Sequence, residues 1–237
     1  MVARGAFPAA PISESIYREQ NRIVSTTSPA TQSLGAPKTS RGVRTRAKVL
    51  KAAENTFGTL GYHNAGVADI TSAAGVAHGT FYTYFSGKEE VLRELVLELG
   101  EKLRAHLAAQ VVGTDDRLEA EEEGLKAFLQ YLSDNPYLYR ILQEAQFVDE
   151  DIYKQYYESF AQGYTEMLDL ASRKGEIRPG DNHHRAWALM GAAHFLGMKY
   201  AIWDQSTTDD ESPFDPIVET MSDFFRNGLA LKGRKKS

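Results

Sequence analysis

The sequence predicts an all-α fold, and three observations carry that expectation. After position 43, apolar residues recur at three- and four-residue intervals almost to the C-terminus. The breaks between these runs fall on the glycine, proline and Asx positions that open and close helices. No segment alternates apolar and polar residues in the strict two-residue period of a strand. The chain has 237 residues, 42% of them hydrophobic, so it can bury a substantial core in one or two domains. It has no cysteine, which excludes disulfides, thiol nucleophiles and cysteine-based metal or redox centres.

Residues 1–43 are rich in Ser, Thr, Pro, Ala and Gly, with no sustained apolar period, and are expected to be a disordered arm. From Arg44 the residues Val49, Leu50, Ala53, Phe57 and Leu60 fall on one helical face, and Gly61 stops the run. A short helix over Val67–Ala74, the pair Gly75-Val76 and a second short helix over His78–Tyr84 follow. Ser86-Gly87 then precedes a long helix from Lys88, with Leu92, Leu95, Val96, Leu99, Leu103 and Leu107 on its stripe. That helix is long enough to link two domains.

Further helices are expected at Asp116–Ser133, at Pro136–Gln146 with Asn135 as its cap, and at Glu150–Lys174 with Gly175 as its stop. Asp181 caps a helix running to Trp203 that is apolar nearly all round and so is expected to be buried on every side. A polar loop over Asp204–Ser212 leads to a last helix, opened by Asp215-Pro216 and carrying Ile217, Val218, Met221, Phe224 and Phe225. There is no internal repeat.

Two short helices joined by Gly75 and Val76 meet the requirements of a helix-turn-helix. Ile70 and Ala74 face the core, glycine permits the left-handed turn, and Val76 fills the angle. The second helix would enter the DNA major groove, with His78, Thr80, Tyr82, Thr83 and Tyr84 as its outward donors and acceptors and Gly79 letting the backbone come close. Spacing alone leaves open a small helical hairpin inside an unrelated α-protein. Charge adds a weak second argument: residues 1–88 sum to +6 and residues 89–237 to −11, so a basic head would be drawn to phosphate and an acidic remainder repelled.

The run from Gly75 to Lys88, preceded by Phe57, Gly61-Tyr62 and Asp69-Ile70, resembles the DNA-binding domain of TetR-type regulators over about Arg44 to Leu95. The resemblance implies a three-helix DNA-reading head on a helical ligand-binding dimer, usually a repressor released from its operator by a small molecule. It places Thr80, Tyr82 and Lys88 on phosphates, the Lys88 amide included. His78, Gly79 and Thr83 face bases, and Tyr84 lies near the DNA backbone or a thymine methyl. Arg44 and Arg46 belong to the same interface. Gly66 stands where the family commonly has Thr or Ser, an N-cap that also touches phosphate, and so belongs to the expected DNA-binding set while capping without a side-chain bond. Ala77 for Ser and Thr71 for Ala are two further departures.

The implied organisation is an arm over 1–43, a helix-turn-helix domain over 44–90, an effector-binding and dimerisation domain over 91–231, and a basic tail over 232–237. In the C-terminal half, Glu144-Ala145-Gln146-Phe147, Tyr156-Tyr157 and the stretch Trp187–Trp203 are similar to members whose effectors are acyl-CoA or other long apolar molecules. The candidate pocket residues are Tyr131, Phe147, Tyr156, Phe160, Tyr164, Trp187, Met190 and His194, each of which could equally be filling a core; the tyrosine hydroxyls argue for a wetter cavity. Ala193, Gly197 and Ala201 leave a flat strip for close helix approach. With Met221, Phe224 and Phe225 of the last helix they form the candidate dimer interface.

His183-His184 point to different helix faces with no third ligand at hand and are expected to be solvated near a helix cap, so neither a metal nor a cofactor is expected. Glu121-Glu122-Glu123 is expected to be an exposed face. No nucleophile triad, phosphate loop or paired-carboxylate motif is present, which argues against an enzyme or carrier with a merely structural head. An architectural DNA-coating protein would need a basic surface throughout. Met1–Gln20 lacks a signal-type apolar core and no window reaches the ~18 apolar residues of a membrane span, so a cytoplasmic protein is expected.

Overall fold

The computed structural model describes residues 37, 39–114, 116–204 and 213–229, and its regular structure there is helical throughout. The first helix, α1, spans Ser40–Leu60 and begins four residues before Arg44. Its cap explains the shift: the Thr39 hydroxyl accepts from the Gly42 amide at 3.1 Å. Positions 40–43 therefore belong to the helix and not to an arm. The remainder of that arm, positions 1–36 and 38, and the basic tail 232–237 lie outside the described residues. Gly61, at φ 81°, ends α1 in a conformation that side-chain-bearing residues avoid.

Helix α2 spans Val67–Ala74. Gly66 caps it without a side chain, and Asp69 compensates by accepting from the Gly66 amide at 2.8 Å. Gly75, at φ 63°, turns the chain left-handed, and the Val76 amide reaches back to the Thr71 carbonyl at 3.0 Å. Helix α3 is shorter than expected, His78–Phe81. Residues 82–84 continue as tight turns, with the Thr83 amide on the Thr80 carbonyl and the Tyr84 amide on the Phe81 carbonyl. Phe81 and Phe85 are both fully buried, so the chain after α3 bends to insert its second anchor.

Helix α4 covers Lys88–Gln110. Helices α5 (Arg117–Asp134), α6 (Tyr137–Val148) and α7 (Glu150–Lys174) follow. Asp116 and Asp149 cap α5 and α7 through the amides of Leu118 and Ile152, and Gly175 at φ 73° closes α7. Asn135 does not cap α6. Its amide nitrogen donates instead to the Tyr131 carbonyl at 2.9 Å, finishing α5.

Helix α8 runs over Asn182–Leu196, with Asp181 accepting from the His184 amide, and widens into a π-helical continuation over Gly197–Trp203. Helix α9 spans Asp215–Leu229. The expectation of a helix buried all round fails for α8. Within the single chain only Asn182 and Ala186 of that helix are buried, and Phe195 is 67% exposed. None of the described helices is long and apolar enough to cross a membrane.

The core is continuous from head to tail. Phe57, Ile70, Phe81, Phe85 and Leu92 fill the head, while Leu95, Leu103, Leu129, Leu132, Ile141, Ile152 and Leu168 carry the burial into the second half along α4, α5, α6 and α7. Helix α9 packs on α5, α8 on α7, and α6 on α1.

Candidate nucleic-acid interface

Burying Phe81 and Phe85 leaves most of the intervening and preceding side chains turned outward. His78, Gly79, Tyr82 and Thr83 are exposed, and Thr80 is half-buried. The His78 ring meets the Tyr82 ring edge-on, with centroids 5.4 Å apart, so the two present one surface. A Cβ built on Gly79 would meet nothing within 4 Å. The protein's own packing does not demand glycine there, and the bare backbone is open to close approach from outside. Tyr84 differs from the expectation: its ring packs on the core, and its hydroxyl stands 3.5 Å from where a Cβ on Gly42 would lie, against the start of α1.

Arg41, Arg44 and Lys48 are exposed at successive turns of α1 and make no ion pair with another described residue. Together with α3 they give the head a cationic flank and a short polar reading edge. Two expected phosphate contacts are corrected. Arg46 is engaged inside the protein, paired with Glu94 of α4 and stacked over the Phe85 ring at 4.9 Å. Lys88 turns its ammonium inward to donate to the carbonyls of Tyr62 and Ala65 at 2.8 and 3.0 Å, over the Tyr62 ring. Burial, assisted by nearby Glu89, pushes the Tyr62 phenol up to about 12. The first turn of α4 also carries Glu89 and Glu90, whose charges oppose a phosphate at the Lys88 amide.

An expected outcome follows for the flank. Arg44→Ala should weaken binding to all DNA sequences alike and lower the salt slope by about 1, whereas Lys88→Ala should act by loosening the α1–α2 turn. Affinity measured from low to high salt checks it, and an unchanged slope for Arg44→Ala removes that residue from the phosphates.

The expected effector residues separate into groups. Tyr131 stacks on His106 at 4.9 Å, and Phe160 lies under the Arg104 guanidinium at 5.0 Å. Tyr156 packs with Val96, Leu99, Leu138, Ile141 and Leu142 around a seam with no room for a water molecule. Tyr164 donates to Glu121, with Arg117 over its ring, and burial followed by the Glu121 charge pushes its phenol well above its ordinary value. Met190 is half-buried. Phe147 is 82% exposed and Trp187 37% exposed, so neither lines an interior cavity of the single chain.

His194 joins a cluster that sequence reasoning missed in part. The Tyr139 hydroxyl donates to the His194 carbonyl at 2.7 Å and lies 3.0 Å from Nδ1, with the Tyr157 hydroxyl at 3.3 Å. Burial lowers the His194 pKa below its ordinary value. An unfolded histidine takes its proton as pH falls through about 6.5, while the folded one resists. Stability from this site is therefore complete above that pH and declines below it. Urea midpoints at pH about 7.5 and 5.5 should fall together less in His194→Gln than in the parent; equal losses would discount the site.

Glu121 and Glu122 correct the expectation of an exposed acidic face. Glu121 is 4% exposed and accepts from the Arg117 Nε at 2.8 Å, and Glu122 bonds Ser222 and Arg226 of α9. His184 sits with Nδ1 3.0 Å from Asp181 within the α8 cap.

The small-residue strip also turns inward. A Cβ on Gly197 would stand 2.5 Å from Leu132 Cδ1 and 3.2 Å from Phe128, both on α5, and Ala201 is buried. Ala193 is half-buried, as is Met221, and Phe225 is buried. Gly197 and Ala201 thus serve contact within one chain. In this region Trp187 and Phe195 of α8, Tyr200 and Trp203 of its continuation, and Phe224 of α9 face outward.

Comparison with known proteins agrees with this geometry. Residues 49–95 match the profile described as bacterial regulatory proteins, tetR family. The chain is 40% identical over 65 residues to the HTH-type transcriptional regulator YdgC of Bacillus subtilis, covering 27% of this chain and 33% of that one. It is 28% identical over 105 residues to the HTH-type transcriptional activator FasR of Mycolicibacterium smegmatis, covering 44% and 48%. These matches span a third to a half of the relatives' lengths. The fatty acid degradation regulator FadR from Bacillus halodurans superposes with a TM-score of 0.67 at 22% identity, over 79% of this chain and 96% of that one. At that identity the likeness shows the fold, including its helical second half.

Proposed function

We propose that this chain, whose residues 49–95 match the profile of bacterial regulatory proteins, tetR family, is a sequence-specific transcriptional regulator of that family. It binds operator DNA as a homodimer and is released by a small apolar effector of acyl-CoA-like chemistry. One observation carries the DNA-reading part: the outward edge of α3, where His78, Tyr82 and Thr83 surround a glycine whose Cβ space is empty. Side chains of that length reach base edges in the major groove, and the bare backbone permits the approach. The cationic flank of Arg41, Arg44 and Lys48 supplies the sequence-independent part of the affinity.

Dimerisation is supported by the outward apolar residues of α8 and α9, which a second copy would cover, and it would carry two heads to successive major grooves roughly 34–36 Å apart. The effector class is supported by the aromatic residues gathered in the second half, Tyr131, Tyr156, Phe160 and Tyr164 among them, and by the likeness to FadR, a regulator of fatty acid degradation. FasR, an activator, belongs among the relatives, so a reporter assay must supply the sign of regulation.

The test is selection of duplexes from a random pool by the purified protein, followed by titration with a long-chain acyl-CoA. A palindromic site with half-sites one helical turn apart, released by the acyl-CoA, is the expected result. Selection of no common sequence would overturn the DNA-reading assignment, and indifference to acyl-CoA would overturn the effector class. His78→Ala should change the preferred base at one position, with a loss of about 1–3 kcal/mol on the original site.

A further inference from the structure

Helix α6 has two working edges. Toward the head it presents Tyr137, Arg140 and Glu144, at three- and four-residue intervals. The ring carbons of Tyr137 stand where a Cβ on Gly58 would have to go, so α1 and α6 approach as closely as glycine allows. The Arg140 guanidinium donates to the carbonyls of Gly58 and Thr59, both at 2.9 Å. These lie in the last turn of α1, where carbonyls run out of helical donors and the helix dipole is negative. Glu144 accepts from the Tyr62 amide, just beyond the end of the helix, and pairs with Arg140 at 3.4 Å. The Tyr62 and Ala65 carbonyls are taken by Lys88 of α4. The α1–α2 turn, which sets the angle of the reading unit, is thus held by side chains from outside it.

Toward the second half, α6 presents Tyr139 and Gln143. Tyr139 bonds the His194 carbonyl, and Gln143 reaches the Met198 sulfur at 3.3 Å. Both contacts fall where α8 widens into its π-helical continuation, and such irregular turns recur at functional sites. Tyr139 and Arg140 are neighbours in sequence, so a displacement of one edge is a displacement of the other.

We propose that Arg140 and Glu144 are positioning residues for the reading head. They fix its angle to the second domain and deliver to α1 any shift of α6 at the Tyr139–His194 contact, without passage through the long helix α4. The inference rests on the DNA-reading assignment of the head, and its test is built to fail separately from it.

The chain has no cysteine, so spin labels at Ser72→Cys in α2 and Glu123→Cys in α5, both exposed positions, report the angle between the domains in the full-length protein. Glu144→Ala and Arg140→Ala should broaden or shift the label distance and speed hydrogen exchange at the Tyr62 amide. Glu144→Gln keeps an acceptor and Arg140→Lys keeps a cationic donor, so each should restore the distance at least in part. On duplexes selected by the parent, Glu144→Ala should weaken binding about tenfold, at the low end of coupling between sites.

A merely structural defect would lower the fraction of active protein at unchanged affinity and salt slope. Misplacement of the head should alter both at full active fraction. Parental distances and parental affinity in both alanine variants would overturn the proposal, as would a loss explained wholly by inactive protein. If the parent selects no DNA, the DNA-reading assignment fails, while label distance and exchange still decide whether Arg140 and Glu144 hold the head.

Discussion

Gly197→Leu is expected to unfold the second half of the protein at a temperature on the order of 10 °C below the parent. The first methyl-sized addition already conflicts with Leu132 Cδ1 at 2.5 Å, and the Phe128 ring and the Tyr139 hydroxyl stand at 3.2 and 3.3 Å. A leucine would therefore have to displace α5 and break the Tyr139 bond to the His194 carbonyl together. Overpacking of this kind costs about 1–3 kcal/mol and more when backbone must move, and each kcal/mol lowers the midpoint of a chain this size by about 2–4 °C. Circular dichroism gives the midpoint, and sedimentation run alongside gives the oligomeric state. Phe195→Asp, at a residue 67% exposed on α8, should do the reverse, sparing the midpoint while shifting the protein toward monomer. A parental midpoint with loss of the dimer in Gly197→Leu would return the glycine to the interface between copies.

That contrast shows what a sequence can and cannot convey. The spacing of Ala193, Gly197 and Ala201 announces a flat strip, but spacing does not say which neighbour lies on it; that is settled by α5, more than 60 positions away in sequence at Leu132. Some helix ends were legible because their physics is local, though the Asn135 cap and the start at Arg44 were not. Asp181 caps the helix that follows, and Gly61, Gly75 and Gly175 each adopt the positive φ that a stop requires. The outward set of α3 was legible for the same reason, as His78, Gly79, Tyr82 and Thr83 are exposed where Phe81 and Phe85 are buried, though Tyr84 turns inward.

Long charged side chains were not legible. Arg46 sits in a basic stretch and Lys88 at a helix start, both suited to phosphate, yet each finds its partners within the protein at a distance in sequence, Arg46 on Glu94 and Lys88 on Tyr62 and Ala65. A flexible stem can aim its charge in several directions, and tertiary contacts choose among them. The same limit hid the contacts of Arg140 and Glu144, whose partners come into reach only where α1 lies beside α6.

Arg117→Met is expected to cost about 3–5 kcal/mol of stability, the usual penalty for removing one partner of a buried ion pair. The Arg117 side chain is 10% exposed and that of Glu121 4%. The carboxylate accepts from Arg117 at 2.8 and 2.6 Å and from the Tyr164 hydroxyl, and with the guanidinium gone its charge has no counter-ion in a place water scarcely reaches. The origin of that cost can be separated from the worth of the pair. Arg117→Met combined with Glu121→Leu removes both charges at similar volume and should recover most of the loss, and adding Tyr164→Phe should recover more by removing the hydroxyl left without an acceptor. Urea unfolding of the single, double and triple variants measures each step. Tyr164→Ala on its own should likewise lower stability by stripping a donor from Glu121, so any loss of effector response in that variant counts only at matched folded fraction. A single variant as stable as the parent would mean that water reaches Glu121, and a double variant no better than the single would mean that packing around Arg117 matters more than its charge.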